Sequence, residues 1–144
     1  MAELLLFRYA SDIRRTLRTW INTCPVIPGG LEITFEDLPE NDAGLCFATD
    51  QAPAYTARYI TGGHAAEYRF RLIYRVLPSD DGDMLDAVEE LSAVAEWAET
   101  TTPPDITGAI NERVIRTSDA AIQTAYEDGS NDYAISLTLS WEVF

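Results

Sequence analysis

Tyr68-Arg69-Phe70-Arg71-Leu72-Ile73-Tyr74-Arg75-Val76 is the stretch on which the reading of this chain turns. Tyr68, Phe70, Leu72, Tyr74 and Val76 fall on one face of an extended strand, and Arg69, Arg71, Ile73 and Arg75 fall on the other. Strand side chains alternate between faces, so this run predicts a strand from Ala66 to Leu77 in a sheet covered on one side. Antiparallel sheets commonly have that one-sided cover. The C-terminal stretch repeats the pattern. Tyr133, Ile135, Leu137, Leu139, Trp141 and Val143 alternate with Ala134, Ser136, Thr138, Ser140 and Glu142. Both apolar rows are expected to face the same covering layer, with the last strand pinned into the sheet.

Two helical patterns supply that layer. Asp83 offers an N-cap for a helix running to about Glu99, after a turn at Pro78-Ser79-Asp80-Asp81-Gly82. Met84, Ala87, Val88, Leu91, Val94, Ala95 and Ala98 share one stripe of it, and Asp86, Glu89, Glu90, Glu96 and Glu99 fill the remaining arc together with Trp97. Met1 to Thr23 reads as the other helix. Leu5, Tyr9, Ile13, Leu17 and Trp20 lie on one side of it, and Arg8, Arg14, Arg15 and Arg18 on the opposite side. Pro25, Pro28, Gly29 and Gly30 stop it.

The remaining segments are shorter. Leu31 to Leu38 alternates as a half-buried strand, broken by Pro39-Glu40-Asn41-Asp42, and Gly44 to Ala48 is a short apolar strand. Asp50 to His64 holds Pro53, Gly62 and Gly63 beside Tyr55, Tyr59 and Ile60. It is either an irregular loop or an extended hairpin with an exposed aromatic edge, mobile until assembly orders it. Asn111 to Ser118 and Ala120 to Glu127 are further strands with a break at Ser118-Asp119, and Asp128-Gly129-Ser130-Asn131 is a hairpin turn. The fold class that follows is α+β: a mostly antiparallel sheet with two amphipathic helices packed on one face, in a single domain over residues 1–144.

Composition bounds the function. The 144 residues contain 24 Asp and Glu against 10 Arg and no Lys, for a net charge of −14. Such a chain repels DNA and anionic membranes, so a broad nucleic-acid face is not expected. The missing Lys has two sources that composition does not separate, a coding bias toward Arg and adaptation to high salt. No apolar run reaches the roughly 18 residues of a membrane span. The apolar start, Met1 to Phe7, carries Glu3 where a signal peptide has a base, so neither secretion nor anchoring is expected. Cys24, Cys46 and His64 fall short of a four-ligand zinc site, and the two thiols are expected to be reduced, with a disulfide as the alternative.

Catalytic patterns are missing. His64 is the single histidine and has no Ser or Cys motif beside it. Gly29-Gly30 and Gly62-Gly63 lack the spacing and following Lys of a phosphate loop. Asp80-Asp81-Gly82-Asp83 lacks the alternating ligands and closing Glu of a calcium loop, and reads as an acidic turn. No catalytic residue, cofactor or metal is assigned. What the sequence does offer is contact surface. The subunit-interface candidates are Arg8, Arg14, Arg15 and Arg18 on the first helix, Tyr55 and Tyr59 in the loop, Arg69, Arg71 and Arg75 on the open sheet face, and Trp97.

The order of marks along the chain is a strand closing on Phe35-Glu36-Asp37-Leu38-Pro39, then Gly62-Gly63 before Tyr68-Arg69-Phe70, then a helix with Trp97 near its end. Pro103-Pro104 follows, and Asp128-Gly129 precedes the strand led by Tyr133. From Leu31 onward this layout resembles the tail-terminator, or minor capsid (tail completion), proteins of long-tailed phages and related viruses. The resemblance implies a non-enzymatic virion subunit of the siphovirus type. It would be assembled in the host cytoplasm into a homo-oligomeric, hexameric ring that caps the tail tube at the head–tail junction. Implied partners are further copies of itself, the tail-tube protein and the neck or connector proteins, with no membrane. DNA would pass through without specific binding, as suits an acidic conduit. Other readings are a neck connector or tail-tube subunit of the same particle, a carboxylate hydrolase, and a small cytosolic binding module. In the ring, the basic face of the first helix is expected to meet acidic surface on the next subunit, with Trp97 as apolar anchor.

Overall fold

The computed structural model describes residues 13–28, 31–38, 43–60, 62–77, 81–105 and 109–143, with the backbone alone at 52–54 and 81–84. Helix α1 is described over 13–21. It is followed by β1 (Ile33–Phe35), β2 (Gly44–Arg58), β3 (His64–Val76), α2 (Asp81–Thr100), β4 (Ile110–Arg116), β5 (Ala121–Ala125) and β6 (Asn131–Val143). Arg8, the earlier part of the first helix, Gly29-Gly30, the Pro39–Asp42 break and the 78–80 part of the expected turn lie outside the described residues.

The six described strands form one sheet in the order β1-β2-β3-β6-β4, with β5 also bonded to β6. All pairings are antiparallel except β1 with β2, which is parallel over Ile33–Phe35 against Leu45–Phe47. The α+β class holds. Strands β3 and β6 form the centre and pair without a break from His64 opposite Val143 to Val76 opposite Asn131. Their period-two rows meet as read: Tyr68, Phe70 and Leu72 are buried beside Leu139, Leu137 and Ile135.

Leu45 and Phe47 extend this core across β2, and the helices close it with Ile13, Leu17, Ile21, Ala87, Leu91, Val94, Ala95 and Ala98. Burying a Leu, Ile or Phe side chain contributes about 1.5–3 kcal/mol each, so this single layer accounts for most of the drive to fold. The acidic arc of α2 is exposed as read at Asp86, Glu89, Glu90, Glu96 and Glu99. The helix begins at Asp81, so Asp83 is inside its first turn rather than at its cap.

Two strand readings change. The first strand shrinks to three residues because Glu36 turns to φ 52, a conformation that ends an extended run. The stretch after Ala48 stays in the sheet: β2 continues to Arg58, and its ladder to β3 slips between Thr49 and Gln51, Gln51 and Ala54, and Tyr55 and Ala57. The extended hairpin is therefore the form taken. Its tip is closed by Tyr59 accepting from the Gly62 amide and donating to the Gly63 carbonyl, with Gly62 at φ 95. His64 is the first residue of β3, not a loop residue.

On the far side, β4 and β5 lie end to end along the same edge of β6, the first against its C-terminal half and the second against its N-terminal half. Between them the Thr117 amide still donates to the Ser136 carbonyl at 2.8 Å, and the Ser118 hydroxyl accepts from the Ser136 amide at 3.0 Å. A serine side chain thus stands in for the missing ladder carbonyl at the break read from Ser118-Asp119. Gly129 at φ 92 closes the β5–β6 turn, and the Asp128 carboxylate accepts from the Ser130 amide, which holds its pKa below the usual carboxylate range.

Candidate functional site

The interface candidates sit in four places. On α1, Arg15 and Arg18 are exposed, but Arg14 is half-buried, which corrects the outward basic face read from the helix period. Its guanidinium lies 5.8 Å from the Phe35 ring and interacts with the Tyr68 hydroxyl. At 100° per residue Arg14 falls only about 60° from Leu17, on a flank of α1 that leans onto Phe35 of β1, so that side also meets protein. Arg18 pairs with Glu32 at 3.2 Å, an exposed contact of small energy. The C-terminal turn of α1 is anchored by Asn22, whose side-chain amide exchanges two hydrogen bonds with the backbone of Ile33, at 2.9 and 2.8 Å.

Trp97 does not stand alone among acids. It is half-buried against Trp20, ring centroids 4.9 Å apart and tilted by 34°. The Trp20 indole donates to the Thr102 carbonyl at 2.8 Å. The two helices therefore meet inside one chain through a Trp pair, and the premise of an outward Trp97 is corrected. Such pairs contribute about 0.5–1.5 kcal/mol beyond their buried area. Beside them a groove of about 620 Å³ is lined by Arg15, Trp20, Pro103 and Pro104 with threonines.

On the sheet face away from the helices, each of the three candidate arginines has a partner in its own chain. Arg69 pairs with Glu67 at 3.1 Å, and Arg71 bonds Gln123 and approaches Asp50 at 3.6 Å. Arg75 is held most firmly. Its Nε and Nη2 bond the two oxygens of Asp132 at 2.8 and 3.0 Å, and Nη2 also donates to the Tyr126 hydroxyl at 2.9 Å. Tyr126 in turn donates to Asp132 at 2.7 Å and lies under the guanidinium. Asp132 is only 3% exposed. The bond to Asp132 raises the pKa of the Tyr126 phenol above its usual value. Arg75 is thus a structural cross-link between β3, β6 and the β5 end. Sequence reasoning had no means of seeing an ion pair 57 residues long.

Cys46 and Ile73 face each other across β2 and β3 in the same face, and both are buried. The two cysteines are free thiols. Burial, with Asp132 adding to it, pushes the Cys46 thiol up to about 11, so it is a poor nucleophile at neutral pH.

The fourth place is the hairpin. Tyr55 is half-buried, with the His64 ring at 4.6 Å and the Arg58 guanidinium 5.4 Å from its ring centre. The His64 Nδ1 is buried and lacks a hydrogen-bond partner. Tyr59 is half-buried at the turn, while the next residue, Ile60, is wholly in solvent at 108% relative exposure. Leu85 on α2 is 60% exposed, and Ile122 on β5 is also exposed. Ile60 was read only as part of an aromatic-rich stretch, and neither Leu85 nor Ile122 was marked. For Leu85 a signal existed, since it falls off the apolar stripe of α2.

Among the described residues, no group of three or more His, Cys, Asp or Glu is placed to hold a metal, and no helix is long and apolar enough to cross a membrane. No protein-family model matches the chain, and no curated protein matches it either.

Proposed function

We propose that this chain is a non-enzymatic structural subunit that closes with copies of itself into a ring. In that reading it is a tail terminator of a virus particle, capping the tail tube at the head–tail junction. The observation that supports it best is the β2–β3 hairpin, with strands of 15 and 13 residues and a closed tip that carries Ile60 entirely in solvent. A single exposed apolar residue is ordinary on a protein surface. One held beside the hydrogen-bonded tip of a long hairpin, where it gains nothing from its own fold, suits a contact made with another chain.

The resemblance noted from the sequence, which runs from Leu31 onward, is the second support for this reading. The charge of −14 per copy fits a ring through which DNA moves without adhering. Its neighbours would be the tail-tube protein and the neck or connector proteins.

The test is the mass of the purified protein by light scattering over a concentration series, followed by electron microscopy of any oligomer. Closed rings that cap purified tail tubes support the reading. A monomer at all concentrations, with no binding to tubes, overturns it.

A further inference from the structure

Charge is segregated along this chain in a way that the fold turns into two surfaces. Gln51–Ala66 contains no Asp or Glu, although 24 of 144 residues are acidic. That acid-free run is the distal half of the β2–β3 hairpin, and its charged side chain is Arg58, which is exposed. Helix α2 is the opposite. Its 20 residues hold Asp81, Asp83, Asp86, Glu89, Glu90, Glu96 and Glu99 and no base.

The acids of α2 are not equivalent. Glu99 bonds Arg116 at 3.0 Å, and Glu90 accepts from the Tyr74 hydroxyl at 3.1 Å, so both are engaged within the chain. Leu85, Glu89, Ser92 and Glu96 follow one another at helical spacings of four, three and four, and so form one line along the helix. The buried residues Ala87, Leu91, Val94 and Ala98 occupy the other side, against the sheet. The line is thus an outward ridge with an apolar residue at one end and two carboxylates behind it.

We infer that the hairpin tip of one copy docks on this ridge of the next copy, with Ile60 against Leu85 and Arg58 facing Glu89 and Glu96. This rests on the ring-subunit reading and names the contact that would close the ring. The occupant is a second copy because one chain carries both halves of the match, an acid-free tip with an apolar end and an acidic helix with an apolar end. The two surfaces differ, so the contact is heterologous and propagates head to tail. Sheet-to-sheet addition is the competing geometry, and both edges are blunted against it. Strand β2 carries Pro53 and three slips of register, and the outer edge beyond β6 is broken between β4 and β5.

The experiment is cysteine cross-linking with a mass measurement. Ile60→Cys and Leu85→Cys are made separately, mixed and oxidised. Because Cys24 and Cys46 are buried, the wild-type chain is the background control. The expected result is a disulfide in the mixture and none in either variant alone. In parallel, Arg58→Glu weakens assembly at least tenfold with an unchanged melting temperature, and Glu89→Arg with Glu96→Arg restores it when combined with Arg58→Glu. A disulfide in Ile60→Cys alone means a tip-to-tip contact and overturns the docking. So does an intact oligomer that gives no cross-link and ignores Arg58→Glu; the ring reading then survives. A wild-type monomer at every concentration overturns both.

Discussion

Strand β3 ends in two very different places. At its C-terminal end, Arg75 is locked to Asp132 by two hydrogen bonds and to Tyr126 by a third, and the carboxylate is shut away from water. At its N-terminal end, His64 packs at a tilt against Tyr55, whose ring lies under Arg58, and a few residues away Ile60 is wholly in solvent. The same strand thus begins at a surface with unused apolar area and finishes in a polar cluster with its bonds made. Bonds satisfied within the chain hold the fold, whereas groups that the fold does not need are available to a partner. Of the arginines read as interface candidates, Arg75 belongs to the first kind.

The largest effect expected from breaking this contrast is at Asp132. Asp132→Ala leaves the Arg75 guanidinium and the Tyr126 hydroxyl without their shared acceptor in a shielded position. Removing one partner of a buried pair costs about 3–5 kcal/mol, and the low end applies because Arg75 retains some contact with water. Chemical denaturation checks this, and a loss below about 1 kcal/mol would mean that the pair is solvated after all. Next comes Trp97→Ala. Deleting a buried aromatic costs about 3–5 kcal/mol, and half-burial reduces that to about 2. The melting temperature of the monomer should fall, because the ring is lost from the contact between the helices. An unchanged melting temperature with lost assembly would return Trp97 to the subunit-anchor role expected from the sequence.

How much of this was legible follows from the range of the forces involved. Strands β3 and β6 were readable because each is covered on one face, which writes a period of two into the sequence. The stripe of α2 was readable for the same reason at its own period. The second half of β2 was not, because Pro53 and three slips of register erase the alternation, and only the hairpin alternative survived. Three-residue β1 leaves too little pattern to declare itself parallel. The Trp20–Trp97 contact depends on how two helices cross, which neither helix records alone. Arg14 was misplaced because a helical wheel distinguishes the core from everything else, whereas the flank of α1 meets Phe35 and Tyr68. For the contact surface, the sequence marked Tyr55 and Tyr59, while Ile60 at the turn became distinctive only once the hairpin was built.

Alkaline pH probes the closed region without mutation. Burial raises the Cys46 thiol from 9.0 to about 11, and burial with Glu90 beside it raises the Tyr74 phenol from 10.0 to about 12. Each group therefore loses its proton more readily in the unfolded chain. The stability tied to Cys46 is complete below pH 9 and is lost as pH rises toward 11, and that tied to Tyr74 is lost between pH 10 and 12. For Cys46, two pH units correspond to roughly 3 kcal/mol. Denaturation midpoints measured from pH 7 to 11 should fall above pH 9, and Cys46→Ala should flatten the decline. Rapid alkylation of Cys46 in the native protein at pH 8 would show that the thiol is not shielded.

The smallest effect on stability should come from the position expected to matter most for assembly. Ile60 has no buried area to lose, and replacing it removes no packing from the monomer. Ile60→Asp should therefore change the unfolding free energy by no more than about 0.5 kcal/mol, the usual range for a surface position. Its neighbour Gly62 provides the control. At φ 95 with open space around it, Gly62→Ala meets no atom but strains the backbone, at a cost of about 1 kcal/mol. The two variants separate the shape of the tip from its chemistry. If Ile60→Asp abolishes oligomers at full monomer stability while Gly62→Ala weakens both slightly, the tip acts through the isoleucine side chain. If Ile60→Asp instead lowers monomer stability by 2 kcal/mol or more, as loss of a buried side chain would, the tip packs on its own chain and the two ends of β3 are more alike than their exposures indicate.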